Sequence, residues 1–267
     1  SMFSNISSND LKSFKYHLED NEDKIKNDVS SIKYTYSIDP IIYTKEKNGE
    51  ITKVNPNSLF TSMFSSSAMT GVYSSYSSIF SQMVDDKKAL DEQYDVLAGS
   101  WPDNYDELVL VLSEPNTIPD LLVYFLGLRD MDELTDMITK LMSGEQVESN
   151  DEPLELTYED LMNIEFKLIH PSDTYKYNSK YNIYEDMSDD SKYMKDLYNK
   201  ATRLKIVGVV APKEGTTSMT LMQGVSYTKD LIDYIVTTAS KSDIVKKQLE
   251  NKDIDVFSNL RFDEKKE

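Results

Sequence analysis

Two short apolar runs constrain the fold of this chain more than any other feature. The segments Leu108 to Leu112 and Leu204 to Val210 are almost continuously hydrophobic, and turn-forming residues lie close to each. A strand that is apolar on both sides of its pleat has to be covered on both faces, as in a sheet with helices packed against it. The runs therefore predict an α+β fold in which mixed sheets are covered by helices.

Periodicity and capping patterns predict the helices and the remaining strands. Asp130 and Glu133 have the spacing of an N-terminal capping box, and Asn48-Gly49 is typical of a hairpin turn. The predicted helices lie at Asn9 to Asn27, after Pro119, from Asp130 to Gly144, after Thr157, at Asp190 to Lys200, at Tyr227 to Thr238 and at Ser242 to Glu250. The predicted strands lie at Ile32 to Tyr43, Ile51 to Val54 and Ile164 to Leu168. The polar, tyrosine-rich tract from Pro171 to Asp190 is expected to be a long excursion.

A serine-rich segment without charged residues runs from Val54 to Val84. Tyr73, Tyr76, Phe80 and Met83 fall on one helical face, so one interpretation is a helix or loop that packs on the core. The other interpretation is a mobile apolar arm that contacts a ligand, because methionine adapts to irregular surfaces and serine orders weakly. Under that second interpretation the candidate cargo contacts are Phe60, Phe64, Tyr73, Tyr76 and Phe80.

The composition excludes several classes of function. With a net charge of -18 over 267 residues, the chain repels phosphate backbones, so no nucleic acid partner is expected. The absence of cysteine excludes thiolate catalysis, cysteine-liganded zinc and disulfides. No run approaches the roughly 18 apolar residues of a membrane-spanning helix.

The sequence lacks the familiar catalytic motifs. It contains no GxxxxGK[ST] loop, no GxGxxG turn and no GxSxG elbow, and His17 and His170 have no metal-binding spacing. Both histidines are expected to be solvated or satisfied. Pairs of acids such as Asp85-Asp86, Asp151-Glu152 and Asp189-Asp190 are read as helix caps or solvated groups. We therefore predict no catalytic, cofactor-binding or metal-ligating residue.

Five stretches of the chain together resemble a known family. They are QYDVLAGSWPDNYDELVLVLSEPNTIPDLLVYFLGLRD (Gln93 to Asp130), YEDLMNIEFKLI (Tyr158 to Ile169), LKIVGVVAPKE (Leu204 to Glu214), GVSYTKDLIDYIV (Gly224 to Val236) and the Met/Leu helix with its acidic loop between the first two. In order and spacing, from about Leu11 to Phe257, the chain resembles the extracytoplasmic domain of MacB/FtsX-type ABC transporter permeases, in the version found in Firmicutes.

The resemblance implies a non-catalytic part of a membrane machine. It implies an outer domain of a multi-pass cell-membrane protein, with part of a porter-like lobe at residues 1–57 and a sabre-like lobe at residues 58–267. The implied partners are a cytoplasmic ABC ATPase, a second permease copy or homologue, and a peptide, lipid or lipoprotein cargo. No cofactor is implied, because the ATPase alone would bind ATP.

Two other classes stay open at this stage. One is a cell-surface hydrolase, which needs a pocket holding two acids about 5 to 10 Å apart with perturbed pKa values. The other is a lipoprotein-type binding protein, which would carry a signal peptide and a lipidated cysteine in the parent gene.

Overall fold

The computed structural model describes residues 10–26, 28–29, 32–35, 38–55, 79–145, 154–217 and 219–264. Ten strands lie in these ranges: β1 (Ile42–Lys45), β2 (Ile51–Asn55), β3 (Phe80–Gln82), β4 (Tyr94–Gly99), β5 (Glu107–Val111), β6 (Glu165–Leu168), β7 (Tyr175–Asn178), β8 (Ile183–Asp186), β9 (Thr202–Pro212) and β10 (Gly224–Tyr227). Eight of them form one sheet in the order β2-β1-β6-β9-β5-β10-β3, with β4 also paired to β9, and β7-β8 is a separate hairpin. The sheet is mixed, and the predicted α+β fold is confirmed.

Nine α-helices lie in the described residues. They are α1 (Leu11–Asp20), α2 (Glu22–Ile25), α3 (Lys87–Gln93), α4 (Asp120–Phe125), α5 (Met131–Ser143), α6 (Tyr158–Met162), α7 (Ser191–Lys200), α8 (Lys229–Ser240) and α9 (Asp243–Glu250). Short 3-10 helices occur at Pro171–Thr174 and Phe262–Glu264. The predicted cap at Thr157 is confirmed as a full capping box with Asp160. Asp86 and Asp190 cap α3 and α7, as expected of these acidic pairs.

Strand β9 organises the sheet. Its first residues pair antiparallel with β6 and its last residues pair antiparallel with β4, while β5 runs parallel to it. The second parallel pair, β10 with β3, continues the sheet on the far side of β5. The two apolar runs of the sequence therefore lie side by side as β5 and β9.

The sheet is covered on both faces, as the apolar runs predict. Leu108 and Leu110 pack in the larger core cluster, together with Leu204 of β9. Val109 and Val111 point the other way and pack in a second cluster around Tyr94, Trp101 and Leu90. Because successive strand residues alternate between faces, a continuous apolar run serves both clusters.

Two glycines bring β4 and β9 close together. A Cβ atom on Gly208 would lie 2.1 Å from the carbonyl oxygen of Ser100, and one on Gly99 would lie 2.0 Å from that of Val207. Gly99 also has φ +70, in the left-handed region. The backbones of β4 and β9 are thus in direct contact at Gly99, and a hydrogen bond from Ser100 N–H to the Val207 carbonyl holds them there.

The expected boundary between residues 57 and 58 does not divide the sheet. The hairpin β1-β2 turns at Gly49, which has φ +89, as the Asn48-Gly49 signal predicts. Strand β1 then pairs with β6, so residues 42–55 belong to the same sheet as the strands after residue 58. The predicted strand from Ile32 to Tyr43 is shorter than expected, because pairing begins only after Pro40.

The predicted helix from Asn9 to Asn27 is divided in the structure. The described residues of this range form two helices, α1 and α2, and Asp10 caps α1 by accepting a hydrogen bond from Ser13 N–H. Leu11 and Phe14 are 69% and 57% exposed, so the apolar side of α1 is not buried against the rest of the described chain. None of the helices in the described ranges has the length and apolar character needed to cross a membrane.

Candidate functional site

The predicted cargo contacts are only partly described by the structure. Phe60, Phe64, Tyr73 and Tyr76 lie outside the described residues. Phe80 lies in β3 rather than on a helix, and its side chain is 5% exposed. Its ring packs edge-on against Phe166, with the centroids 5.2 Å apart. The expectation that Phe80 contacts cargo is therefore corrected, because the strand pairing with β10 turns this side chain into the core.

A small cavity of about 290 Å³ lies where the ends of several strands and helices meet. Its walls come from the ends of β3 and β10, from the starts of α3 and α8, and from the segment Trp101 to Asp103. Trp101 is buried, and its indole N–H donates to Asp91 Oδ1 at 2.9 Å. Thr228 stands at the N-cap position of α8, but its hydroxyl is buried and has no hydrogen-bond partner in the described ranges.

A larger cavity of about 650 Å³ lies beside the hairpin β7-β8. We call this cavity the tyrosine groove. Four tyrosines line it, namely Tyr175, Tyr177, Tyr184 and Tyr193. Other lining residues come from α7, which contributes Tyr193 and Leu197, and from the turn between α8 and α9 together with the start of α9. Tyrosine presents a rigid ring with a polar tip, so four of them form a surface that suits both apolar and hydrogen-bonding contacts.

The tyrosines of the groove are held by specific contacts. Tyr177 and Tyr184 face each other across the hairpin with centroids 5.3 Å apart. Lys247 Nζ lies 3.8 Å from the Tyr177 ring centroid and 5.9 Å from that of Tyr184, and it donates to Asn182 Oδ1 at 2.6 Å. Tyr193 donates its hydroxyl proton to the carbonyl oxygen of Asp173 at 2.8 Å. These contacts restrict the positions of the Tyr177, Tyr184 and Tyr193 rings.

Burial raises the pKa of two tyrosine hydroxyls that line the groove. It raises the pKa of the Tyr184 hydroxyl, a shift that the nearby Lys247 ammonium opposes. Burial also raises the pKa of Tyr193, with a further contribution from Asp173. Both hydroxyls therefore stay protonated at neutral pH and act as neutral donors and acceptors. Four charged residues also line the groove, namely Lys176, Lys241, Asp173 and Asp243.

His170 does not match its predicted environment. The sequence suggests a solvated or satisfied histidine, and His17 is indeed exposed. His170 is 6% exposed, and neither of its ring nitrogens has a hydrogen-bond partner among the described residues. Its ring packs against Tyr234 at 5.3 Å, and burial lowers its pKa, with Asp173 acting in the opposite direction. His170 is thus a buried neutral ring in the core.

Among the acidic side chains of the described residues, Glu46 has a raised pKa, and the main cause is burial. It is 5% exposed and directly follows β1. Its carboxylate accepts a hydrogen bond from the N–H of Met131, the first residue of α5. It lines neither the small cavity nor the tyrosine groove. The described residues also contain no cluster of three or more histidine or acidic side chains that could hold a metal ion. The paired-acid pocket that a hydrolase needs is therefore not formed by Glu46 in either of these cavities.

Sequence reasoning missed the tyrosine groove. The tract from Pro171 to Asp190 contains the groove tyrosines but reads only as a polar excursion. Alternation of Tyr175 and Tyr177 about Lys176 is the signal that could have identified β7. The rest of the lining comes from α7 and from residues 241–244, which no local pattern links to this hairpin.

Comparisons with known proteins give no match. No protein-family model, no curated protein and no solved structure is significantly similar to this chain.

Proposed function

We propose that this chain is the extracytoplasmic domain of an ABC transporter permease subunit. In this proposal it lies at the outer face of the cell membrane and catalyses no reaction. It couples the ATP-driven motion of a cytoplasmic ATPase to the export, extraction or sensing of a peptide, lipid or lipoprotein. A second permease copy or homologue completes the transporter.

One observation carries the proposal. The stretches that resemble such permeases form neighbouring elements of a single sheet. LVLVLSE contains most of β5 and LKIVGVVAPKE most of β9, while YEDLMNIEFKLI spans α6 and β6, and GVSYTKDLIDYIV spans β10 and the first part of α8. In the sheet, β6, β9, β5 and β10 are consecutive neighbours. The resemblance therefore follows one contiguous structural unit instead of scattered surface segments.

The packing of this unit suits the transmission of motion. Leu108, Val109 and Val209 are fully buried, so both faces of the central strands are tightly covered. Closely packed interiors are stiff and transmit displacement with little deformation. A domain that relays movement from one end to the other needs this property, whereas a binding or catalytic loop does not.

The test uses the full-length gene product in its own membrane. A tagged copy is purified in detergent, and the complex is examined for a co-purifying ABC ATPase and for ATP hydrolysis. We expect the ATPase in stoichiometric amount, with hydrolysis lost when the Lys of its phosphate-binding loop is replaced by Ala. Recovery of the full-length product from the non-membrane fraction, or hydrolysis of cell-wall glycans by the purified chain alone, would contradict the proposal.

A further inference from the structure

We infer that the tyrosine groove binds an extended peptide segment of neutral or basic composition, which adds as a strand to the outer edge of β7. The inference goes beyond the proposed function and does not rest on it, because binding is a property of this chain alone.

The outer edge of β7 offers unpaired backbone groups. Met187 N–H donates to the Thr174 carbonyl, so hydrogen-bonded pairs alternate along the hairpin from that point. Lys176 and Glu185 then form a bonded pair, whereas the backbone groups of Tyr175 and Tyr177 point outward. Tyr184, opposite Tyr177, follows the same rule, because its N–H donates to the Val256 carbonyl outside the hairpin.

The two edges of the hairpin differ. The outer edge of β8 is covered through the bond from Tyr184 to Val256. Among the described residues, no third strand pairs with β7. A free strand edge is a template for another strand, and proteins that bind peptides by strand addition use such edges. Three consecutive residues of β7, Tyr175 to Tyr177, line the groove, so the free edge and the cavity are contiguous.

The side chains of the groove suit a polypeptide. Tyrosine provides a large contact area at low entropic cost, and serine provides adaptable hydrogen bonds, a combination typical of surfaces that bind protein. The groove combines its four tyrosines with Ser172 and Ser242. Tyr177 remains 43% exposed, so its ring is accessible to a partner.

The charge of the chain selects among peptides. A net charge of -18 produces a negative potential that repels acidic partners and favours basic ones. At the groove itself the exposed Asp173 and Asp243 are matched in number by the exposed Lys176 and Lys241, so the preference for a basic peptide comes from the field of the whole chain. The same charge disfavours a second copy of this chain as the occupant, because two such acidic molecules repel each other.

The experiment selects peptides from a random library of about ten residues, long enough to pair with a strand of ordinary length. Enriched peptides are synthesised with a fluorescent label, and their affinity for the purified chain is measured by anisotropy. We expect neutral or basic sequences, with binding weakened about tenfold or more by Tyr177→Ala and by Tyr193→Ala, the magnitude typical of aromatic contact residues. These two residues belong to different elements, so a folding defect in one variant leaves the other informative.

A matched control and a backbone probe complete the test. Tyr181 is 56% exposed in the turn between β7 and β8 and does not line the groove, so Tyr181→Ala should leave affinity unchanged. Methylation of peptide amide nitrogens should impair binding only at alternate residues, because an added strand uses every second N–H toward its partner.

Four results would overturn the inference. They are the absence of enriched peptides, a preference for acidic ones, affinity that is unaffected in both tyrosine variants, and a dimer in sedimentation that Tyr177→Ala abolishes, which would assign the edge to a second copy. Each of these results leaves the co-purification test of the proposed function unaffected, so the two failures are distinguishable.

Discussion

Glu46 accepts a hydrogen bond from the backbone N–H of Met131 at 3.2 Å, so a side chain at the end of β1 caps a helix 85 residues further along the chain. Asp130, the capping residue predicted from the sequence, does not take this role. Its Oδ1 and Glu46 Oε1 are both buried, and neither has a hydrogen-bond partner in the part of the chain that the structure describes. Burial raises the pKa of Glu46, the proximity of the Thr52 hydroxyl and the hydrogen bond from Met131 N–H oppose this shift, and the charges of Asp130 and Asp132 add to it.

We predict that Glu46→Gln stabilises the fold at neutral pH. A carboxyl group whose pKa is raised by folding contributes stability at low pH that is lost as the pH rises through its folded pKa. The glutamine amide keeps an acceptor for Met131 N–H and adds donors beside Asp130. The gain should be about 1 kcal/mol at pH 7, the contribution of one buried hydrogen bond. Urea unfolding at several pH values measures it.

The control for this substitution is Glu50→Gln. Glu50 lies in the same hairpin but is exposed, so its replacement should change the free energy of unfolding little at any pH. If Glu46→Gln destabilised the protein more at neutral pH than under acidic conditions, the ionised carboxylate would be the better cap and the prediction would be wrong.

We predict that Phe80→Ala destabilises the fold by about 3 to 5 kcal/mol, the usual cost of truncating a buried phenylalanine. Phe80 is 5% exposed and packs on Phe166. The exposed Phe14 of α1 provides a matched control, since Phe14→Ala should cost less than about 0.5 kcal/mol. An unchanged melting temperature for Phe80→Ala would return this residue to the set of candidate cargo contacts.

We predict that Gly208→Ala costs more than Gly215→Ala. The added methyl group at residue 208 would lie 2.1 Å from the Ser100 carbonyl oxygen, so β4 and β9 must separate. Overpacking of this kind costs about 1 to 3 kcal/mol or more. At Gly215, φ is +80 but the space is open, so only the backbone penalty of about 1 kcal/mol applies. Chemical denaturation of both variants would compare them, and equal losses would contradict the close approach.

We predict that His170→Phe makes the protein less sensitive to acid. Burial holds the pKa of His170 below its ordinary value of 6.5, so the unfolded chain binds the proton more tightly. Stability is therefore present above about pH 6.5 and is lost as the pH falls through the folded pKa. A phenylalanine keeps the ring packing on Tyr234 without a titrating group.

The measurement is the difference in unfolding free energy between about pH 7.5 and about pH 5.5, on either side of the ordinary histidine pKa. The difference should shrink in His170→Phe. It should persist in His17→Phe, because His17 is exposed on α1. An identical pH dependence in wild type and His170→Phe would show that the buried histidine does not contribute to acid sensitivity.

The sequence predicted those elements whose signals are local. β5 and β9 follow from continuous apolar runs, and the Thr157 cap and the Gly49 turn follow from short motifs. β3 could not be predicted in this way, because three residues carry too little periodicity and their partner β10 lies about 145 residues away along the chain. The spacing of the apolar residues around Phe80 was interpreted as one face of a helix, but Phe80 lies in a strand that pairs in parallel with β10.

Contacts between distant segments account for the other differences. Asp130 and Glu133 have the spacing of a capping box, but the first N–H of α5 donates to Glu46, which lies 85 residues earlier in the chain. The tyrosine groove combines a hairpin, one wall of α7 and the turn before α9, and each piece alone is unremarkable in sequence. Such sites depend on tertiary placement and stay invisible to patterns of a few residues.

Strand β9 has a mechanical consequence. Its eleven residues are bonded to β6 and β4 on one side and to β5 on the other. A pull along its axis would load the hydrogen bonds of three ladders simultaneously in shear, so they cannot be opened one after another as in a zipper. The strand therefore resists tension along its own axis better than tension perpendicular to it.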